Sequence, residues 1–526
     1  MLSEDITGEL TRLSAVVEGN EVSRTNSQPA SLPRDTSRQN AAWDLLHAPR
    51  NYLALISAQA LGSLLSFSSV WLATRYLGPA GYGGVVALIT SAQIAMMVAV
   101  SWTNISVARY GCEEFVRTGQ IASTFWTRLV ILVPNLLVVL ATAPFWLPRL
   151  AGVLNLPANS TWLVLALLLV NVWWIHIQQA LQAAKLMRAQ GWLLTLERAL
   201  IFLVLSSLAL SGSISVRNVS WLYVLGPAGA SLVGLIKLRK LIWPAVRVDA
   251  ALLNRMLRFS IPIIPTTIVG YLSSNYLDAL FITHFLSQAK LGIYSVAYQL
   301  AGLTQQLPLL AGTLLMPLFV TLQTGKREDR TERFIREVLP PITLLWTIAC
   351  ALLATVGSYV VPLIFGSKFE ETAVLLWPLM AVSALAGPWL MGYGPVITTS
   401  SKTYLILIAA TFGSIANIVL DWVLIPRFGL LGCAWATVVA SGLNLGMIFY
   451  LVHWRIVPRR TWVLQATLPI LFGAVYASLR GENIGAFGLT AIVSGVISLA
   501  HRKSIIQAAR SLGEYRRFAS EGSSRA

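Results

Sequence analysis

LATRYLGPAGYGGVVAL at residues 72–88 and FITHFLSQAKLGIYSVA at residues 281–297 align without a gap at an offset of 209. Thr74 matches Thr283, Leu77 matches Leu286, Ala80 matches Ala289 and Gly83 matches Gly292. Near the end of each repeat, Val216-Arg217 and Pro426-Arg427 correspond at an offset of 210. A period this long in an apolar chain means that one helical bundle occurs twice. The unit holds about six helices. Six is even, so both copies share one orientation, and a pseudo-twofold along the membrane normal with a cavity between two lobes is expected.

Working outward, the composition demands a membrane. Of 526 residues, 56% are hydrophobic and only 12% are charged, with a mean hydropathy of +0.68. A soluble domain is excluded. Runs such as WLVLALLLVNVWW (162–174) are apolar on every side, whereas strands of an outer-membrane barrel alternate. A spanning helix needs about 20 apolar residues. On that measure about 14 spans are expected between residues 52 and 500, including 261–283 and 291–322. The expected fold class is thus an all-α polytopic membrane protein. Its segments are a disordered cytoplasmic tail (1–48), a six-helix lobe (49–240), an amphipathic interfacial linker (241–260), a second six-helix lobe (261–455), two additional transmembrane helices (456–500) and a basic cytoplasmic tail (501–526).

The net charge of +17 is a topology signal and does not point to nucleic acid. Nineteen basic residues fall in the loops on one side of this map and seven in those on the other. Cytoplasmic loops carry the excess, which sets both termini inside. Anionic lipid headgroups are the expected partners of the basic faces in 241–258 and 501–518. Cys112, Cys350 and Cys433 are scattered through apolar sequence and read as packing residues, so no metal centre is expected.

Three further stretches carry a family resemblance. FSIPIIPTTIVGYLSSNYLDALFITHFLSQAKLGIYSVAYQL (259–300), IFGSKFEETAVLLWPLM (364–380) and NIVLDWVLIPRFGLLGCAWATVVASG (417–442) resemble Wzx-type polysaccharide flippases, with RYLGPAGYG (75–83) as a weaker counterpart. The resemblance covers roughly residues 50 to 455. It implies the superfamily shared by drug antiporters of the MATE type and lipid II flippases, an alternating-access cavity, and an oligosaccharide on polyprenyl pyrophosphate as substrate. It places the chain in a bacterial cytoplasmic membrane, with polysaccharide polymerase and export machinery as further candidate partners. Ser287-Gln288 departs from the family's glycine-containing turn, and Asp421 stands where a neutral residue is expected.

A pyrophosphate lipid needs cationic or donor groups in a wet cavity, and arginine binds phosphate oxygens with a planar fork. Candidate substrate residues are therefore Arg75 and His284, which are repeat equivalents, together with Arg198, Arg258, Tyr294 and Tyr298. Arg128 lies one turn inside its span and is expected to snorkel to the cytoplasm. Asp278, Asp421 and Asn275 are candidates for ion coupling or gating, with Arg75 as a possible partner of Asp278. Pro262 and Pro265 should bend their helix. No GxxxxGK[ST] loop and no cofactor motif occurs, so the energy is expected to come from an ion gradient, a partner or the substrate gradient itself. A MATE-type multidrug antiporter is the nearest alternative. A polymerase or ligase would show a long outward loop with an Arg/His/Asp cluster, and a non-transporting scaffold is the remaining reading.

Overall fold

A computed structural model of the protein describes residues 34–156, 160–243, 246–272, 275–324, 328–399, 402, 404–455 and 462–508. Side chains are described from Ser57 onward, except at 98, 272, 275, 276, 314, 317, 318, 320–324, 328, 454 and 455. Every regular element among the described residues is helical. Hydrocarbon suits this, because a helix satisfies its own backbone donors and acceptors within one segment. The first helix begins at Arg34, within the stretch expected to be a disordered tail.

Ten described stretches are long and apolar enough to cross a membrane. Two of them are helix pairs joined across a glycine. Arg34–Ala99 breaks at Gly78 (φ 65°, ψ −177°) and Tyr404–Arg455 at Gly429 (φ 60°, ψ −139°). The Gly78 conformation is essentially open to glycine alone, so LGPAGYG encodes a break between two spans. The expected span at 261–283 lies outside the ten. It is divided into a 3-10 turn, Ile261–Ile263, and the helices Ile264–Leu272 and Asn275–Phe285. Pro262 and Pro265 each withhold a backbone donor there. The next expected span, 291–322, falls on the helix Gln288–Thr324 and also lies outside the ten.

The repeated segments touch each other backbone to backbone. An ideal Cβ on Gly83 would lie 1.8 Å from the Gln288 carbonyl oxygen, and one on Gly292 would lie 2.1 Å from that of Pro79. Small residues permit such close helix crossings in membranes, where packing supplies the attraction.

The linker helix Ala250–Ser260 is capped by Asp249, whose Oδ1 accepts from the Ala251 and Leu252 amides at 2.8 and 3.1 Å. Its buried Leu252 and Met256 pack with Val107 and Ile131, while Asn254, Arg255 and Arg258 are exposed. That division matches the amphipathic pattern in the sequence. Side chains such as Leu210, Leu363 and Leu479 point outward, as surfaces wetted by acyl chains should.

The C-terminal helices Leu468–Arg480 and Asn483–Ala500 pack on Leu339–Phe365 and Glu370–Pro388. Trp377, 1% exposed, donates Nε1 to Asn483 Oδ1 at 3.0 Å. Gly473 has no room for a side chain, because a Cβ would sit 2.8 Å from the Trp377 ring and 2.2 Å from Thr490 Oγ1. Truncating Trp377 to alanine should cost about 3–5 kcal/mol and lower the thermal midpoint of the purified protein in detergent. An unchanged midpoint would mean that this ring does not anchor the terminal helices.

Candidate functional site

Hydrocarbon tolerates ionisable side chains only at a cost, so those that remain buried mark the places to examine. Asp278 extends from the helix Asn275–Phe285 and is 2% exposed. Tyr294, one helix further on, donates its hydroxyl to Asp278 Oδ2 at 2.6 Å. Asn417 donates Nδ2 to Asp278 Oδ1 at 3.2 Å and to Asp421 Oδ2 at 3.0 Å. The i,i+4 spacing of Asn417 and Asp421 puts both on one helical face. Beyond Gly429 the chain doubles back, with Gly432 against the Leu424 carbonyl. This return brings Cys433 to the cluster, so that ligand atoms of Asp278, Asp421 and Cys433 lie within 4.8 Å of one another.

Among the described residues no Lys, Arg or His forms an ion pair with either carboxylate. Asn417 Oδ1 and Asp421 Oδ1 are buried acceptors without a hydrogen-bond partner. Two buried carboxylates this close require a counter-charge. A proton or a small cation supplies it, and a cation would also occupy the two orphaned oxygens. The donor set of carboxylate, amide and hydroxyl oxygens is hard, with one thiol at its edge, and it fits a monovalent or other hard ion.

The second feature is a cavity of about 630 Å³ between the repeats. Ser66, Tyr82, Thr90, Arg198 and Tyr223 line it from the first repeat, and Tyr298, Gln299 and Gln306 from the second. Hydrogen bonds cross it from Gln299 Nε2 to Tyr82 Oη (2.7 Å) and from Gln59 Nε2 to Gln306 Oε1 (2.9 Å). Arg198 also borders a smaller pocket of about 200 Å³ with Gln93, Asn171 and Glu197. Its Nη1 donates to Ser66 Oγ at 2.8 Å, whereas Glu197 accepts from Trp174 Nε1 at 3.1 Å. The adjacent acid and base are therefore held by different partners.

The sequence candidates divide accordingly. Arg198 and Tyr298 line the cavity. Tyr294 does not, because its hydroxyl is committed to Asp278. Arg75, Arg258 and His284 are exposed, and none borders either cavity. Arg75 is not the partner of Asp278, whose carboxylate is bonded by Tyr294 and Asn417. Asn275 is helical, but its side chain lies outside the described residues. Arg128 does not snorkel: it is fully buried, bonded to Asn104 Oδ1 at 2.5 Å and within 3.4 Å of Thr103 Oγ1 and His176 Nδ1. Cys433, read as packing, belongs to the acidic cluster. Sequence reasoning also missed that Asp278 and Asp421 form one site. The available signal was the Asn417/Asp421 spacing, which gives a face but no partner.

A family model described as polysaccharide biosynthesis protein matches residues 48–323, more than half of the chain, and the chain belongs to that family. A curated relative is the probable low-salt glycan biosynthesis flippase Agl15 of Haloferax volcanii, 23% identical over 179 residues. That match covers 34% of this chain and 38% of the relative, so the chain spans less than half of the length of the relative. Among solved structures, the lipid II flippase MurJ in an inward closed conformation superposes with a TM-score of 0.64 at 13% identity, over 86% of this chain and 100% of that one. An inward-facing multidrug resistance MATE family transporter of the MOP superfamily gives 0.58 at 12% identity, over 76% of this chain and 98% of the other. The protein therefore has the fold of that superfamily and is a multi-pass membrane protein.

If the acidic cluster holds an ion, the purified protein should melt higher in sodium than in a bulky organic cation, or higher at acid pH. Saturation at a hundredfold of Kd is worth about 2.7 kcal/mol. Asp278→Asn and Asp421→Asn should each abolish the response. A midpoint indifferent to sodium and to pH in all three proteins would reduce the cluster to a structural hydrogen-bond network.

Proposed function

We propose that the protein is a flippase that moves a polyprenyl-pyrophosphate-linked oligosaccharide across a bacterial cytoplasmic membrane by alternating access, for surface polysaccharide biosynthesis. The observation that carries this reading is the cavity between the two repeats, where the guanidinium of Arg198 and tyrosine, glutamine, serine and threonine side chains share the wall with apolar residues such as Phe67, Ile89 and Leu303. Sugar hydroxyls pair with such side chains, and a phosphate oxygen pairs with the guanidinium. The family membership and the glycan biosynthesis flippase among the relatives support the same cargo. The acidic cluster lies in the second repeat, and none of Asp278, Asp421 and Cys433 lines the cavity, so any ion held there would act on the cavity through the helices. Both termini are read as cytoplasmic from the distribution of basic residues.

The MATE-like fold keeps a drug antiporter as the second reading. A cationic drug is disfavoured by Arg198, because a like charge in a poorly screened cavity repels it.

In a host lacking the gene, the lipid-linked oligosaccharide should accumulate on the cytoplasmic side of the membrane, and the wild-type gene should clear it. Arg198→Ala should lower translocation by about tenfold or more, the cost of one charge-assisted contact, and Arg198→Lys should recover part of it. Normal glycan export together with altered sensitivity to cationic dyes would sink the flippase reading in favour of the antiporter.

A further inference from the structure

The crossing of the two repeats is reciprocal. The Gln288 carbonyl faces Gly83 and the Pro79 carbonyl faces Gly292, and both pairs, 79 with 288 and 83 with 292, are related by the same offset of 209. Each repeat thus presents one carbonyl to the glycine of the other. Contacts of this kind between backbone C–H and carbonyl groups are weak and part easily.

Side chains close over the crossing from either half. Gln288 donates Nε2 to the Leu154 carbonyl at 3.0 Å and to the Asn155 carbonyl at 2.7 Å. In return, Asn155 donates Nδ2 to the Thr283 carbonyl at 3.2 Å. Asn155 adopts a left-handed conformation, φ 51°, just beyond the helix Ala143–Val153. Asparagine enters that region more readily than most residues, and here the turn directs both its amide and its carbonyl at the second repeat. The Ser287-Gln288 turn, the departure from the family's glycine-containing turn, thereby gains a task that glycine has no side chain to perform. Water can replace every one of these amide-to-carbonyl bonds at small net cost, which suits a contact that must open repeatedly.

We propose that Asn155 and Gln288 form a latch over the Gly83–Gly292 crossing, closing the cavity at the outer end of the bundle and releasing when cargo leaves. The proposal rests on the transport reading. Tyr82 and Gln299, each within two turns of a crossing glycine, already line the cavity, so separation at the glycines opens a path to it.

Two experiments decide it. First, Asn155→Cys/Gln288→Cys is joined with a short, reducible bis-thiol reagent in vesicles. Glycan translocation should be lost on crosslinking and regained on reduction. Wild-type translocation by the crosslinked protein, or failure of the pair to crosslink, would overturn the latch. Second, Gln299→Cys is labelled with a membrane-impermeant maleimide applied to each face in turn. Labelling from the outer face should rise severalfold when Asn155→Ala/Gln288→Ala, or Gly83→Ala, is added. An unchanged rate in the properly folded Asn155→Ala/Gln288→Ala protein would overturn the proposal, even if Gly83→Ala fails to fold. Labelling needs no substrate, so a wild-type protein that moves no glycan would count against the transport reading alone.

Discussion

Hydrocarbon offers no hydrogen bonds, and almost everything in this structure follows from that deprivation. Backbone has to be helical wherever lipid surrounds it, so a break needs a residue that permits it and neighbours that shelter it. Gly78 and Gly429 break their helices at a positive φ, and Pro262 and Pro265 accompany the division at 261–285. These interruptions adjoin the parts with chemistry to perform. Gly78 precedes the crossing at Gly83, Gly429 returns Cys433 to Asp421, and the divided segment carries Asp278.

The same scarcity of partners governs charge. Among the described residues few charged side chains are buried or half-buried within the bundle, and their settings differ. Asp278 and Asp421 share Asn417, Glu197 is held by Trp174, and Arg198 is held by Ser66. Arg128 sits among Thr103, Asn104 and His176 beside the 3-10 turn Ser101–Thr103. Removing one partner from such a set leaves the other buried and unsatisfied, so these sites should tolerate substitution less well than the exposed basic residues.

Much of this was legible in the sequence, for identifiable reasons. The repeat at 72–88 and 281–297 predicted two equivalent halves, and it is these segments that touch. Apolar runs and amphipathic spacing located helices and gave the buried face of 250–260, since both are local properties. Depth at a helix end was not legible. Arg128, one turn inside its span, was expected to reach the cytoplasm, yet it is enclosed by Thr103, Asn104 and His176. Which helix meets which was also hidden. The union of Asp278 with Asp421 and the diversion of Tyr294 from cavity to carboxylate both depend on packing between distant segments.

The glycine crossing also bears on how far the two copies of the repeat can differ and still meet. Gly83 and Gly292 are fixed by the lack of space for any side chain, whereas the groups facing them are main-chain carbonyls, which every amino acid possesses. Positions 79 and 288 can therefore differ, one a proline and the other a glutamine, without disturbing the contact between the two segments. At this point the symmetry of the repeat resides in the backbone, and the difference between its two copies resides in the side chains.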